Sequence, residues 1–278
     1  LWLDLKVNYV LIVLNNFMKR LKFILRYLKY LLKSQNQYMI HSPFVFNFVS
    51  SVIYKKTKNE STAEIESLRN ALYNDNRKIN MTDFGAGSNI NSSKKRKIKD
   101  IAKNSSKNKK FGQLLFRIVE HFKPKVIFEL GTSFGISTLY LAKGNNNSKI
   151  TTFEGCKETA NIAKENFNFL NFKKIETVLG NFKDTYEKKA EEYKKLDLIF
   201  VDGNHQEKAT INYFETLINY SHNKTIIIFD DIHWSIGMEN AWKYIKDSKK
   251  TSLTIDLFFI GIVFLDPKLS KENYIIRF

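Results

Sequence analysis

From residue 125 onward, short apolar runs alternate with segments whose apolar positions recur every three or four residues. Val126–Leu130, Lys149–Glu154, Lys174–Leu179, Leu196–Val201 and Thr225–Phe229 read as buried strands. The stretches 135–143, 156–170, 206–220 and 236–247 read as helices. Strands alternating with helices predict βαβ units, a mainly parallel sheet and right-handed crossovers. Leu253–Leu265 is β-rich with Gly261 inside it and reads as an antiparallel edge hairpin, and Tyr274–Phe278 as a terminal strand.

The first 110 residues lack this alternation. Residues 18–33 place Leu21, Ile24, Leu25, Leu28, Leu31 and Leu32 against Lys19, Lys22, Arg26, Lys29 and Lys33 at helical spacing. The preferred reading is a helix packed on the main domain with its lysines in water. The alternative is peripheral contact of 18–33 with an anionic membrane. Residues 1–17 are apolar in patches but broken by Asp4, Lys6, Asn15 and Asn16, and read as an upstream extension. A signal peptide fits poorly, because the basic residues follow the apolar stretch. Ser42-Pro43 opens a helix through Tyr54, and Ser61 to Glu64 has capping-box spacing for a helix over 62–73. In the basic stretch 74–110, Asp83-Phe-Gly-Ala-Gly-Ser88 has little strand before it and no helix after it, so it reads as a tight turn. The other reading makes this basic loop a lid over the active site. Phe111–Phe122 resumes helical spacing until Pro124. The division expected is a helical, basic extension over 1–110 and an α/β domain over 111–278.

The 278 residues are 43% hydrophobic, enough to bury a core and to exclude disorder for most of the chain. The single cysteine, Cys156, excludes a disulfide framework or a cysteine-rich zinc module and fits a reducing, cytoplasmic setting. Lys and Arg outnumber Asp and Glu by 45 to 28, with basic runs at 94–97 and 107–110. That charge allows a nucleic-acid partner but does not favour one. The excess is mostly lysine, which shares A/T-rich codons with the abundant Asn, Ile and Phe, and arginine is scarce.

The chemistry concentrates at the carboxyl ends of the predicted strands, where open α/β sheets bind ligands. The first strand–helix turn reads Glu129-Leu-Gly131-Thr132-Ser133-Phe-Gly135-Ile-Ser137-Thr138. Gly131 lets the chain turn off the strand, Gly135 is expected to let backbone approach a ligand, and Ser133 offers a hydroxyl beside a helix N-terminus. The G-x-x-x-G spacing is not the dinucleotide G-x-G-x-x-G, which argues against a nicotinamide oxidoreductase. Glu129 suits the ammonium of an amino-acid-like ligand better than a pyrophosphate. About 25 residues later Glu154 ends the second strand, where a carboxylate accepts both hydroxyls of a ribose. Gly180-Asn181 ends the third strand, within reach of an adenine edge, and Asp202 ends the fourth. Together these positions suit one nucleoside with a cationic amino-acid tail.

The ordered series E-L-G-T-S-F-G-I-S-T, T-F-E-G, G-N-F, D-L-I-F-V-D-G-N-H and I-I-F-D-D-I-H-W, across about residues 111–265, resembles class I S-adenosylmethionine-dependent methyltransferases. It is most similar to their small-molecule O-methyltransferase-like branch with a D-G-x-H element. The resemblance implies a Rossmann-like, doubly wound, mainly parallel seven-stranded sheet with a reversed last strand. It implies S-adenosylmethionine held by the Glu129–Gly135 loop, with Glu154 on the ribose. Cys156 then reads as packing or as lining of the adenosine pocket.

Asp202-Gly-Asn-His205 and Asp230-Asp231-Ile-His233-Trp234 follow neighbouring strands, so three carboxylates and two imidazoles are expected to face one cleft. One reading is a Mg²⁺ site on Asp202, Asp230 and Asp231. Metal-dependent catechol-type O-methyltransferases carry an Asp and an Asp-Asn pair there, so the Asp-Asp pair here matches in part. A second reading is metal-free, with His205 or His233 as general base beside Asp202 and Asp230. A third is structural, the carboxylates capping helices or holding loops. Trp234 reads as a wall for an aromatic substrate, and Trp242 as core. The expected function is methyl transfer to a small-molecule acceptor, at a hydroxyl oxygen. The alternative is an RNA or protein acceptor docked on the basic N-terminal region. The absence of an N/D-P-P-Y/F element after the fourth strand argues against base N-methylation. A non-catalytic binding module survives only if the Asp/His cluster is scattered in space.

Overall fold

A computed structural model of the chain describes residues 18, 21–82, 94–105 and 107–278. The Asp83–Ser88 turn and residues 1–17 lie outside the described residues. The strands are β1 (Lys78–Met81), β2 (Lys94–Lys97), β3 (Val126–Leu130), β4 (Lys149–Glu154), β5 (Ile175–Leu179), β6 (Leu196–Val201), β7 (Ser221–Asp230), β8 (Leu253–Asp256), β9 (Ile260–Phe264) and β10 (Glu272–Ile275). The helices are α1 (21–33), α2 (Pro43–Phe48), α3 (Ala63–Asn74), α4 (Ile98–Ser105), α5 (Lys109–Phe122), α6 (Ile136–Gly144), α7 (Lys157–Phe169), α8 (Phe182–Tyr193), α9 (Glu207–Leu217) and α10 (Ile236–Asp247). None of the described helices is long and apolar enough to cross a membrane.

One sheet of eight strands runs in the order β10-β8-β9-β7-β6-β3-β4-β5, and β1 and β2 form a separate antiparallel ribbon. Alternate strand residues feed opposite faces. Ile127, Leu198 and Phe200 join α2 and α5 in one core, while Phe128, Ile199 and Val201 join α8, α9 and α10 in another. A third cluster packs α3 and α4 onto α6 and α7 through Ile65, Leu68, Ile98, Ile101, Leu139 and Phe167.

The sheet departs from expectation in two ways. The hairpin is not an edge: β9 inserts between β7 and β8, antiparallel to both. The edge is β10, parallel to β8, which makes eight strands where seven were expected. Helix α8 has no counterpart in the sequence reading, because it buries only Tyr186 and Ala190 and its apolar period is weak. The ribbon β1–β2 and helix α4 were also not expected. The strands are mostly Lys and Asn, and tertiary contacts rather than periodicity fix them. Asn80 on β1 bonds Glu158 through both its backbone N–H and its side chain, each at 2.7 Å. A short strand therefore does precede Asp83. The capping box at Ser61 does not form. Thr62 caps α3 without a side-chain bond, and Glu64 reaches Lys143 at 2.6 Å instead.

Helix α1 packs by a different face than the leucines suggested. Phe23 and Tyr27 meet Phe258 at 5.4 and 4.9 Å between ring centroids, while Leu21, Ile24, Leu25, Leu28 and Leu32 are exposed. The aromatic positions win because Phe258 stands out from the β8–β9 turn with a positive φ of 69° and offers them a flat surface. The same ring stacks on His233 at 5.2 Å. His233 is held at both nitrogens, by Asp256 at 2.8 Å and Glu239 at 3.1 Å, and Glu239 also pairs with Arg26 of α1 at 3.0 Å. Burial opposes its charge, but the bonds and charges of Asp256 and Glu239 outweigh it and raise its pKa.

Two consequences are measurable. A raised imidazolium stabilises the fold fully below the unfolded value of about 6.5, and that contribution fades as pH rises through the folded value. His233→Gln should therefore lower the melting temperature more at pH 6 than at pH 9, and an equal loss at both would contradict this role. Gly131 has a φ of 111°, and a Cβ there would fall on the backbone oxygen of Asp202. Gly131→Ala should cost at least ~2 kcal/mol in denaturant unfolding.

Candidate active site

The strand order turns over between β3 and β6, since β4 and β5 continue to one side and β7 to the other. Ligands bind open α/β sheets at such a switch point. The registers Leu130↔Phe153, Leu130↔Val201 and Val201↔Phe229 bring four strands to the same height. The next residues, Gly131, Glu154, Asp202 and Asp230, therefore share one rim. A cavity of about 550 Å³ opens there, within the roughly 300–1,000 Å³ of small-molecule pockets.

Most of the expected cofactor positions line this cavity: Gly131, Thr132, Ser133, Ser137, Glu154, Gly180, Asn181 and Asp202. Ser133 takes a positive φ of 48° and points its N–H at Glu154 Oε2, 2.8 Å away. Glu154 Oε1 accepts from the Cys156 N–H at 2.9 Å. Burial raises the Glu154 pKa against these bonds. A carboxylate tied to the loop backbone yet facing the cavity suits a ribose diol. The carboxylate, hydroxyl and backbone set along one side matches the hydrogen-bonding needs of a nucleoside with an amino-acid tail.

Three expectations are corrected. Glu129 does not face the cavity. It is fully buried beneath the loop, where one oxygen accepts from the Thr138 and Thr152 hydroxyls. Burial pushes its carboxyl up to about 7. Through the bonded oxygen it supports the loop from below, and its other oxygen has no hydrogen-bond partner among the described residues. Gly135 is likewise not at the cavity wall. Its φ of 80° starts α6, and the space a Cβ would take is filled by the Phe167 ring. His233 lies outside the cavity between Asp256 and Glu239. Cys156 packs against β1, with its sulfur 3.5 Å from both Thr82 N and Asn80 O, and Trp242 is buried in the core.

The other side of the cavity carries the Asp/His cluster. Asp202, His205 and Asp230 each bring one donor atom within 4.8 Å of the others. His205 Nε2 lies 3.7 Å from Asp202 and 3.9 Å from Asp231. Trp234 is 60% exposed at the mouth. Asp231 contributes to the rim with a positive φ of 54° but is not part of the tight three-donor group.

A residue the sequence reading passed over sits among them. Lys107 pairs with Asp230 and lies 3.4 Å from Asp202. Burial works against its charge, but the three aspartates outweigh it and raise its pKa. Burial and the Asp230 charge raise the pKa of Asp202 and Asp231 in turn. Met81, Thr82, Asn104 and Ser105 also line the cavity, and Ser105 Oγ meets Ser133 Oγ at 2.8 Å. The sequence signals for this stretch were its basic runs and the alternative reading of it as a lid over the active site, and neither singled out these residues. The donor types of Asp202, His205 and Asp230 suit a divalent cation, but the position between the two carboxylates is taken by the Lys107 ammonium, so the arrangement as it stands does not fit a metal.

Residues 128–232 match a family described as a methyltransferase domain. No curated protein sequence matches the chain. An O-methyltransferase from Bacillus cereus, solved in complex with S-adenosylhomocysteine, is 21% identical with a TM-score of 0.53, over 80% of this chain and 97% of that one. A Podospora anserina methyltransferase with S-adenosylhomocysteine bound is 14% identical with a TM-score of 0.55, over 82% and 97%. A methyltransferase from Geobacter sulfurreducens is 10% identical with a TM-score of 0.53, over 81% and 97%. These likenesses concern the fold, and the family match concerns residues 128–232. Residues 128–232 of the chain thus match a methyltransferase domain, set in a fold shared with solved methyltransferases.

Proposed function

We propose that the protein transfers a methyl group from S-adenosylmethionine to a hydroxyl oxygen of a small-molecule acceptor. One observation carries this reading: a single cavity joins Glu154 and the Ser133 loop to Asp202, His205 and Asp230. The first set suits the nucleoside and its tail, and the second suits an acceptor whose proton must leave. The O-methyltransferase of Bacillus cereus with its bound S-adenosylhomocysteine supports the same cofactor and reaction type. When bound, S-adenosylmethionine supplies a methyl carbon to the acceptor oxygen as the carbon–sulfur bond breaks.

The chain's own residues would do three things. Glu154 would hold the ribose, while Thr132, Ser133 and Ser137 would hold the tail at the start of α6. Gly180 and Asn181 would border the adenine. His205 would take the acceptor proton, with Asp202 and Asp231 both near its Nε2 to balance the charge it gains. Trp234 would cover the acceptor at the mouth, where an indole excludes water and packs on a ring. Holding donor and acceptor in line is the larger part of catalysis for such a displacement.

Calorimetric titration separates the cofactor claim from the chemistry. Wild-type protein should bind S-adenosylhomocysteine and not NAD, and Glu154→Ala should weaken that binding about a hundredfold. That is the loss of about 3 kcal/mol expected when a carboxylate's paired hydrogen bonds go. Unchanged affinity would remove Glu154 from the site. A panel of phenolic, catecholic and aliphatic hydroxyl acceptors, with an RNA included, then identifies the acceptor class. On the best substrate His205→Ala should lower kcat by about 10²- to 10⁴-fold with S-adenosylhomocysteine affinity unchanged. Equal turnover in the two proteins would refute the base assignment.

A further inference from the structure

Lys107 does not belong to the sheet. It sits in the connection between α4 and α5, and its ammonium reaches across the cavity to carboxylates at the ends of β6 and β7. Its placement is built. Arg69 of α3, itself 3% exposed and paired with Glu66 at 3.2 Å, donates to the Lys107 carbonyl. One residue on, the Asn108 side chain caps α5 by accepting from the Phe111 N–H at 3.1 Å. Ser105 ties the same connection to the Ser133 loop. The buried guanidinium thus bonds both Glu66 and the Lys107 carbonyl, which fixes where that carbonyl stands. The side chain of Lys107 is only 15% exposed.

The opposite charge is equally specific. Asp230 is 1% exposed, and its Oδ1 has no hydrogen-bond partner among the described residues although Asp230 lines the cavity. Asp202 and Asp231 face the same space. Three carboxylates this close need a cation. Asp202, His205 and Asp230 could in principle recruit a divalent ion, but its ligand oxygens would have to come within about 2.0–2.6 Å of the metal. The Lys107 ammonium occupies the approach to those oxygens. Metal and lysine are therefore alternatives, because seating a divalent ion would require the ammonium to leave.

We propose that Lys107 is the resident cation of this cleft, so that the site works without a divalent metal and the ammonium holds the acceptor oxygen as its anion. This rests on the methyl-transfer reading above. An ammonium has three N–H donors. One donates to Asp230, and Asp202 lies 3.4 Å away as an ion pair, so the ammonium keeps N–H capacity for a ligand in the cavity. The acceptor oxygen gives its proton to His205, and the resulting oxyanion is balanced by the ammonium of Lys107. The acceptor class this favours is an acidic hydroxyl, a phenol or an enol, over an aliphatic alcohol. The exchange puts a positional demand on the acceptor as well. A metal chelates two adjacent oxygens, whereas an ammonium with N–H capacity to spare needs only one, so a simple phenol should serve as well as a catechol.

Mn²⁺ titration followed by electron paramagnetic resonance tests the proposal without needing the acceptor. Wild-type protein loaded with S-adenosylhomocysteine should bind Mn²⁺ weakly. Lys107→Gln and Lys107→Met should bind it at least about tenfold more tightly, since a like charge has been removed from the donor set. S-adenosylhomocysteine affinity within twofold of wild type shows that each variant is folded. On the acceptor selected by the panel, wild-type turnover should be unchanged in excess chelator. Lys107→Gln should lose about 10²- to 10³-fold in kcat, as for removal of one donor to a developing oxyanion. Tight Mn²⁺ binding by the wild type, or inactivation by the chelator, would overturn the proposal. So would variants whose Mn²⁺ affinity equals that of the wild type. A wild-type protein that binds no S-adenosylhomocysteine would instead sink the methyl-transfer reading, while the Mn²⁺ comparison on unloaded protein would still decide whether the lysine holds the cation's place.

Discussion

The closeness of β3 and β6 at their carboxyl ends sets the geometry of everything above them. Asp202 N–H donates to Leu130 O at 2.8 Å, and the Gly131 and Thr132 N–H groups both donate to Phe153 O at 3.1 Å. Three strands are thereby locked at one height in the residues where the chain leaves them. No side chain fits between Gly131 and the Asp202 carbonyl. Because the sheet is parallel there, the residue after each strand end turns onto the same rim, and the carboxylates of Glu154, Asp202 and Asp230 line one cavity although they lie far apart in the chain.

That crowding has an electrostatic cost which the rest of the molecule offsets in two different ways. Under the loop, Glu129 is left with hydroxyl donors and no cation, and burial drives its carboxyl toward neutrality. On the rim, Asp202, Asp230 and Asp231 are met by Lys107, whose charge their proximity sustains. Burial raises the pKa of both sets, but one meets only hydroxyl donors and the other a paired cation. Neither distinction follows from the identity of the residue.

The N-terminal elements are part of this arrangement. Helix α3 supplies Arg69 to hold Lys107, α4 supplies Ser105 to the Ser133 loop, and β1 is pinned to the start of α7 through Asn80 and Glu158. Helix α1 braces the far side through Phe23, Tyr27 and Arg26 against Phe258 and Glu239. A cleft of buried carboxylates on one domain is made habitable by groups delivered from the preceding hundred residues, which is why Met81, Thr82 and Ser105 share its wall with Glu154.

The sequence by itself determined the parallel half of the sheet. Val126–Leu130, Lys149–Glu154 and Leu196–Val201 are apolar runs of strand length between turn residues, and burial on both faces leaves such runs little choice of structure. It also determined that Glu154, Asp202 and Asp230 stand at strand ends, since chain order and a parallel sheet suffice for that. Tertiary structure alone decided where β9 inserts, because an apolar hairpin carries no mark of which strand it pairs with. It decided that Glu129 and His233 turn inward while His205 faces the cavity, for that depends on which partners close around each side chain. It decided the outward turn of the α1 leucines, since Phe258 rather than periodicity selected the packing face. And it alone brought Lys107 to the acidic cleft, because a lysine in a basic run looks like any other until folding sets a carboxylate opposite it.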